Sequence, residues 1–195
     1  MARGGGVISL SLIVPTPDGE GLSALFDSIR PQLSPQDEVL IVGDTHSQAL
    51  EETATLVQAE GFRWLEHDAG KHAWGHPQVN YGISQAQGDY LVFNDDDDTF
   101  TESALAIIRD VAAGLPEPAP MMFRFLSGRN GLLWDAPVIQ CGRIGGHEFV
   151  CPNDPERLGR WSDRYEGDFD FIESTLALWP KDSLIWREEV IAHAR

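Results

Sequence analysis

The sequence predicts an α/β domain in which a mostly parallel central sheet is flanked by helices. Through the first hundred residues, short β-branched apolar runs alternate with longer stretches of helical period, the rhythm of strands joined by crossover helices. Several runs close on turn formers and acids, as at Pro15-Thr16-Pro17-Asp18-Gly19 and Gly43-Asp44-Thr45. With 195 residues and 42% apolar content, the chain can bury one sizeable core, and a single domain over 1–195 is expected.

Val7 to Val14 reads as the first strand, and the next helix carries Leu22, Leu25, Phe26 and Ile29 on one face. Val39 to Val42 is a second buried strand. Ser47 to Glu60 has helical period and is closed by Gly61, and Phe62 to Leu65 is a short third strand. Asp68 to His76 is a loop rich in Gly and His, after which Val79, Ile83 and Ala86 mark another helix. Tyr90 to Phe93 is the fourth strand and runs straight into Asn94-Asp95-Asp96-Asp97-Asp98. Thr101 is placed to cap a helix whose Ala104, Leu105, Ile108 and Val111 face inward.

Beyond Gly114 the texture changes. Pro116, Pro118 and Pro120 make a stiff connection, Met121 to Leu126 and Leu133 to Ile144 look like strands, and Phe169 to Leu178 has a helical pattern. The domain therefore divides into a half over 7–114 and a smaller β/α half over 115–195, without internal repeats.

The net charge is −17, and Lys71 and Lys181 are the only lysines. Such a surface repels phosphate backbones and argues against direct, cation-free binding of nucleic acid. Any diphosphate ligand needs a metal ion or a local arginine cluster to offset its charge. Cys141 and Cys151 have no partner pair for a zinc site and are expected to be reduced thiols, with a hairpin disulfide as the alternative. Met1 to Gly6 precedes only eight mostly apolar residues, too few for a membrane span and without a cleavage pattern, so no membrane insertion and a cytoplasmic location are expected.

Four consecutive aspartates at the end of a buried strand are costly to hold together unless a cation is present. Their hard oxygens suit Mn²⁺ or Mg²⁺, which keep open positions for substrate phosphates. Position agrees, because ligands of open α/β sheets gather outside the carboxyl ends of the strands. A solvated acidic turn leading into a helix is the structural alternative, and Asp98 fits it.

Val14-Pro15-Thr16, Asp37 to Asp44, Asn80-Tyr81-Gly82-Ile83, Ala86 to Tyr90 and Phe93 to Asp98 occur in an order and spacing that resembles family 2 glycosyltransferases of the GT-A fold. The resemblance covers about residues 7 to 112. It implies a Rossmann-like sheet, a nucleotide-sugar-binding half over 7–114, and an acceptor-side half over 115–195 that carries the catalytic base. It further implies a metal-dependent enzyme that moves a sugar from a nucleotide diphosphate donor, with UDP the favoured nucleotide, to a hydroxyl acceptor.

Carried over residue by residue, the resemblance puts Pro15 and Thr16 in the nucleobase pocket and Asp44 against base or ribose, with Asn80 also on the donor side. Asp95 to Asp97 would be the DXD motif, in which Asp95 and Asp96 lie towards the nucleotide and Asp95 and Asp97 hold the metal. A late histidine, His193, is the candidate to complete the metal site. Asp168, with Asp170 beside it, would be the catalytic base of an inverting reaction. Two positions depart from the family pattern. Gly43 stands where an aspartate is usual, and Val79 where an arginine commonly precedes Asn80.

Structural alternatives stay open for each residue. Pro15 can simply end a strand, Asp44 can serve a turn, Asn80 can cap a helix, and Asp170 has capping-box spacing to Glu173. His72, Trp74 and His76 lie beside the expected donor site. Trp134, Trp161 and Trp179 are candidates for an acceptor platform, and Arg124, Arg129 and Arg143 for contacts to the diphosphate. A glycan, lipid or small molecule is a more fitting acceptor than nucleic acid, and glycosylation of modified DNA bases is a minor alternative. The main rival is a non-catalytic sugar- or nucleotide-binding module of the same fold. A nucleotidyltransferase lacks its Gly-rich basic loop here, and the EF-hand pattern of a calcium-binding protein is absent. The sequence leaves the oligomeric state open.

Overall fold

The computed structural model describes residues 7–69 and 74–194; Lys71 and His72 lie outside the described residues. Four strands, β1 (Leu10–Thr16), β2 (Glu38–Asp44), β3 (Arg63–His67) and β4 (Tyr90–Phe93), pair in parallel in the order β3-β2-β1-β4. They are joined by α1 (Leu22–Ile29), α2 (Leu50–Ala59) and α3 (His76–Gln85), as the alternating rhythm requires. β5 (Thr99–Phe100) and α4 (Ala104–Gly114) follow.

The second half extends the same sheet in mixed directions. β6 (Met121–Ser127) and β7 (Gly131–Leu133) form a hairpin, β8 (Phe149–Pro152) inserts antiparallel between β4 and β6, and β9 (Ile185–His193) runs between β6 and β5. The helix α5 (Gly167–Leu176) lies between β8 and β9 in the chain.

Strand alternation sorts the core into two layers. Leu10, Leu12, Val14, Val39, Ile41, Tyr90 and Val92 join α1 and α4 on one face. Ile13, Leu40, Leu91 and Phe93 join Val79 of α3 and Phe171 and Ile172 of α5 on the other. Leu22, Leu25, Phe26 and Ile29 are all buried, as their spacing predicts. Gly61 takes a φ of 78° beyond α2, the left-handed conformation in which glycine closes a helix.

Three expectations are corrected. The first strand begins at Leu10, not Val7. The expected strand over Leu133 to Ile144 is instead the end of β7 and an irregular segment with one isolated bridge, Cys141 to Ile144. Pro137 has no N–H for a ladder, and Gly142 at φ 77° turns the chain out of extended geometry. Thr101 does not cap α4, because its hydroxyl donates to the Val190 carbonyl 2.9 Å away and so serves β9. Strands β5, β8 and β9 lie outside the runs that periodicity marks.

The two departures from the family pattern have packing causes. The Trp64 indole lies across β2 where a side chain at Gly43 would stand, and a Cβ there would come within 2.1 Å of Trp64 Cη2. Val79 is 3% exposed and packs in the second core layer, against the cavity. Gly43→Asp is therefore expected to destabilise the fold by about 1–3 kcal/mol through overpacking. Adding Trp64→Ala should recover part of that loss, so that urea unfolding of both single variants and the double variant reveals a non-additive pair.

Candidate functional site

The carboxyl ends of β1 and β4 open into a cavity of about 640 Å³, where an open α/β sheet binds its ligands. Pro15, Thr16, Ala69 and Asn94 to Asp97 line it from the first half. His147, Glu148 and Asp168 come from the second half, with Trp161, Tyr165 and Phe169 near them.

The aspartates after β4 are treated unequally. Asp96 Oδ2 accepts from the Thr16 hydroxyl at 2.5 Å, and the same hydroxyl accepts from Gly19 N–H at 2.8 Å. Burial, with Asp97 and Asp95 adding to it against the Thr16 bond, pushes Asp96 up to about 6. Asp97 is exposed and also raised, by partial burial and by repulsion from Asp98 and Asp95.

Asp95 and Asp98 converge on a histidine from the other half. His147 Nε2 lies 3.2 Å from Asp95 Oδ2 and 3.1 Å from Asp98 Oδ2. Burial disfavours the imidazolium, but the two carboxylates outweigh it and hold His147 well above its ordinary range. The crowding of Asp95 by the cavity wall acts to raise its pKa although its carboxyl is still exposed, and the facing His147 charge more than cancels that, leaving it low. Phe125 stacks on the imidazole at 4.6 Å and holds the ring in place.

This trio is the group among the described residues that can hold a metal, its three ligand atoms lying within 4.8 Å of one another. The set expected from the sequence, Asp95, Asp97 and His193, is not the one that assembles. Asp97 lines the cavity without joining the trio, and His193 is exposed on β9, in register with Thr99 and Leu126 and outside the cavity lining.

The trio fits a hard divalent ion. The two carboxylates suit Mn²⁺ or Mg²⁺, with the imidazole, a donor more usual on transition metals, as the third ligand. Neighbouring ligands on an octahedral ion with bonds of about 2.1 Å stand about 3.0 Å apart, close to the separations found. The His147 Nε2 contacts are charge contacts without aligned hydrogen-bond geometry, which leaves that buried nitrogen without a hydrogen-bond partner.

Register explains why His147 arrives here. Val92 of β4 faces Val150 of β8 in an antiparallel ladder; Asp95 lies three residues beyond Val92 and His147 three before Val150, so continuing the register sets them opposite each other. The only trace of this in the sequence is Gly145-Gly146-His147-Glu148 ahead of the apolar Phe149-Val150-Cys151, and periodicity alone does not pair it with Asp95.

Asp168 sits in the first turn of α5 and lines the cavity. Burial raises its pKa, opposed by the N–H groups of Phe169, 2.7 Å from Oδ1, and Gly146. Glu148 is fully buried beside it and pushed up to about 8 by desolvation. Its neighbour Asp170 is otherwise engaged. Arg164 Nε donates to Asp170 Oδ2 at 2.6 Å and Ser162 shares that oxygen, outside the cavity lining. Glu166, not Asp170, is the N-cap residue of α5, so the capping-box alternative does not describe Asp170 either.

The remaining candidates separate by location. Pro15 lines the cavity and packs against Gly75, where a Cβ would approach to 2.7 Å. Asp44 lies outside the lining and pins two loops, its Oδ1 accepting from His46 N–H at 3.0 Å and Ala69 N–H at 3.4 Å. Asn80 clamps the Trp161 peptide, donating to its carbonyl at 2.8 Å and accepting from its N–H at 3.1 Å. That clamp, with His76 Nδ1 2.9 Å from the Ser162 carbonyl, fastens α3 to the segment before α5.

Trp161 and Trp74 line the cavity, whereas Trp134 and Trp179 do not. Trp134 Nε1 donates to Phe123 O and Trp179 Nε1 to Arg157 O. Arg124 stacks on Trp134 at 4.6 Å and Arg143 pairs with Asp135, and neither these nor Arg129 line the cavity. Cys141 is exposed and Cys151 buried, both free thiols. No helix among the described residues is long and apolar enough to cross a membrane.

The Asp170 pairing generates a pH signature. The Arg164 hydrogen bond, then that of Ser162, lowers Asp170 from 3.8 to about 2. A carboxylate depressed by folding adds stability that is present above its ordinary pKa and lost as pH falls through the folded one. The stability gap between wild type and Asp170→Asn, read by urea unfolding, is expected to be full above about pH 4 and to close towards about pH 2.

The comparisons with known proteins agree with this geometry. The sequence profile of glycosyl transferase family 2 matches residues 11–127. No curated protein matches the sequence. Among solved structures, TarS 1-349 of S. aureus in complex with UDP-GlcNAc superposes with a TM-score of 0.69 at 15% identity, over 96% of this chain and 58% of that one. Glucosyl-3-phosphoglycerate synthase from Mycobacterium tuberculosis, in complex with Mn²⁺, UDP and glucosyl-3-phosphoglycerate, superposes with a TM-score of 0.70 at 14% identity, over 96% and 72%. The chain spans 60% of a further TarS 1-349 structure. With the profile covering more than half of its residues and the described fold matching GT-A glycosyltransferase structures, the chain belongs to glycosyl transferase family 2.

Proposed function

We propose that the protein is a metal-dependent glycosyltransferase, which moves a sugar from a nucleotide diphosphate sugar, with UDP as the nucleotide, to a hydroxyl acceptor with inversion. The observation that carries this reading is the presence, in one cavity, of a divalent-ion donor set and a half-buried carboxylate of raised pKa. Support comes from two structural relatives, one in complex with UDP-GlcNAc and the other with Mn²⁺ and UDP.

In this reading Pro15, Thr16 and Ala69 wall the nucleobase end of the cavity. Asp95, Asp98 and His147 would hold Mn²⁺ or Mg²⁺, which when bound supplies stabilisation of the charge that develops on the departing diphosphate. Asp96, tied to Thr16, keeps the loop after β1 against the acidic strand end. Asp168 takes the proton from the acceptor hydroxyl while that oxygen attacks the anomeric carbon from the face opposite the leaving group. Its raised pKa moves a carboxylate towards the range in which a general base works. Trp161, Tyr165 and Phe169 offer rings to an acceptor whose carbon face is apolar, and a glycan, lipid or small molecule fits a cavity without a described lysine or arginine in its lining.

Calorimetric titration of UDP, GDP and their sugar conjugates, with Mn²⁺ and then with EDTA, tests the donor half of this proposal. Metal-dependent binding of one nucleotide is expected, and no binding of any nucleotide under either condition would sink the reading. His147→Ala and Asp98→Ala are expected to weaken Mn²⁺ binding by at least about tenfold, since even the loss of a group behind a ligand costs that much; Asp97→Ala should weaken it less. Asp168→Asn is expected to lower kcat by about 10²–10⁴ with nucleotide affinity retained. Donor binding that leads to no transfer in any acceptor screen, unchanged by Asp168→Asn, would instead identify a binding module.

A further inference from the structure

One short turn reaches both chemical groups of the proposed site. Residues Gly146–Glu148 form a single 3-10 turn between the irregular segment after β7 and the start of β8. From it, the Gly146 N–H is directed at the Asp168 carboxylate and the His147 side chain at Asp95 and Asp98.

The turn is packed too closely for side chains to anchor its first two positions. A Cβ at Gly145 would stand 3.1 Å from Asp168 Oδ2, and a Cβ at Gly146 would stand 2.4 Å from Trp161 Cη2. The side chain that ties the turn to itself is Glu148. It is 0% exposed, and its Oε1 accepts from the Gly145 N–H at 3.0 Å, the reach from the third residue of a turn back to the N–H before it. Its Oε2 is buried in the cavity wall without a hydrogen-bond partner. A buried carboxyl oxygen left in that state calls for an explanation beyond packing.

We propose that Glu148 is a positioning residue, whose carboxyl group holds the Gly145–His147 turn so that His147 meets Asp95 and Asp98 while the Gly146 amide meets Asp168. The proposal rests on the transferase reading above and adds a role for a residue outside the motifs that carry the family resemblance. Metal binding and base placement then share one strut. Losing the strut loosens both.

The test compares Glu148→Ala and Glu148→Gln with wild type by Mn²⁺ titration, followed calorimetrically and by the electron paramagnetic resonance of bound Mn²⁺, together with kcat and KM for the donor. Glu148→Ala is expected to bind Mn²⁺ about 10–100-fold more weakly, the range for losing a group that orients a ligand, and to lose kcat more than it changes KM. Glu148→Gln keeps an amide oxygen where Oε1 stands and should restore most of the Mn²⁺ affinity. A merely structural role would move Tm and leave Mn²⁺ affinity and kcat of the folded protein alone, so a folded Glu148→Ala with wild-type values for both overturns the proposal. If Glu148→Ala does not fold, Glu148→Asp, which withdraws the carboxyl by one methylene, decides by the same readings. Wild-type protein that neither binds Mn²⁺ nor transfers sugar overturns the proposed function together with this role, whereas active wild type with an unaffected Glu148→Ala overturns only the role of Glu148.

Discussion

Four consecutive aspartates at the end of a buried strand repel one another, and the surroundings of Asp95 to Asp98 are arranged to contain that repulsion. Asp96 gives an oxygen to Thr16, Asp95 and Asp98 face the charge of His147, and Asp97 is exposed to solvent. The start of α1 is pressed against the run itself. A Cβ at Gly21 would lie 2.3 Å from the Asp96 carbonyl oxygen and 2.4 Å from Asp97 Cα, and the N-terminal end of a helix carries partial positive charge. The sheet, a helix end and a histidine from the far half of the chain are all engaged at one acidic turn.

That engagement gives the second half its shape. β8 has to enter beside β4 for His147 to arrive opposite Asp95, and α5 has to follow closely for Asp168 to reach the same cavity. The α5 segment is held there by polar and aromatic contacts together. Asn80 grips both sides of the Trp161 peptide, Trp161 stacks on Phe171 at 5.5 Å, and Phe171 meets Phe93 of β4 edge-on at 5.3 Å. Gly167 opens α5 where a Cβ would strike His76 Nδ1 at 2.4 Å. Asn80, which in the family resemblance belongs to the donor side, acts here as the clamp between the halves.

The departures from the family pattern follow the same logic of space and charge. Where an aspartate is usual, Gly43 leaves room for the Trp64 ring, and the remaining acid of that strand end, Asp44, is occupied by loop N–H groups. Where an arginine is usual, Val79 completes the apolar layer under the cavity. The described lining of the cavity contains carboxylates, an imidazole pair and aromatic rings but no lysine or arginine.

By itself, the sequence determined the β-α-β-α-β-α-β first half, because short apolar runs alternating with stretches of 3.6-residue period are local properties that need no partner to be read. It also determined where the acids would stand, since a buried strand ending in Asp95 to Asp98 has one outlet, and it marked Asp168 through the motif at the start of α5. Only the tertiary structure decided which groups meet. β5 is two residues long and β8, no longer than β4, stands outside the strand-helix alternation that marks the first half, and their pairing is antiparallel across a long separation in sequence. Whether His147 or His193 faces Asp95 depends on the register of those ladders, and a shift of one residue would turn every side chain to the other face. Asp170 and Asp168 are likewise two residues apart in sequence, and what separates a carboxylate bound to Arg164 from one that lines the cavity is the packing of α5 against the sheet.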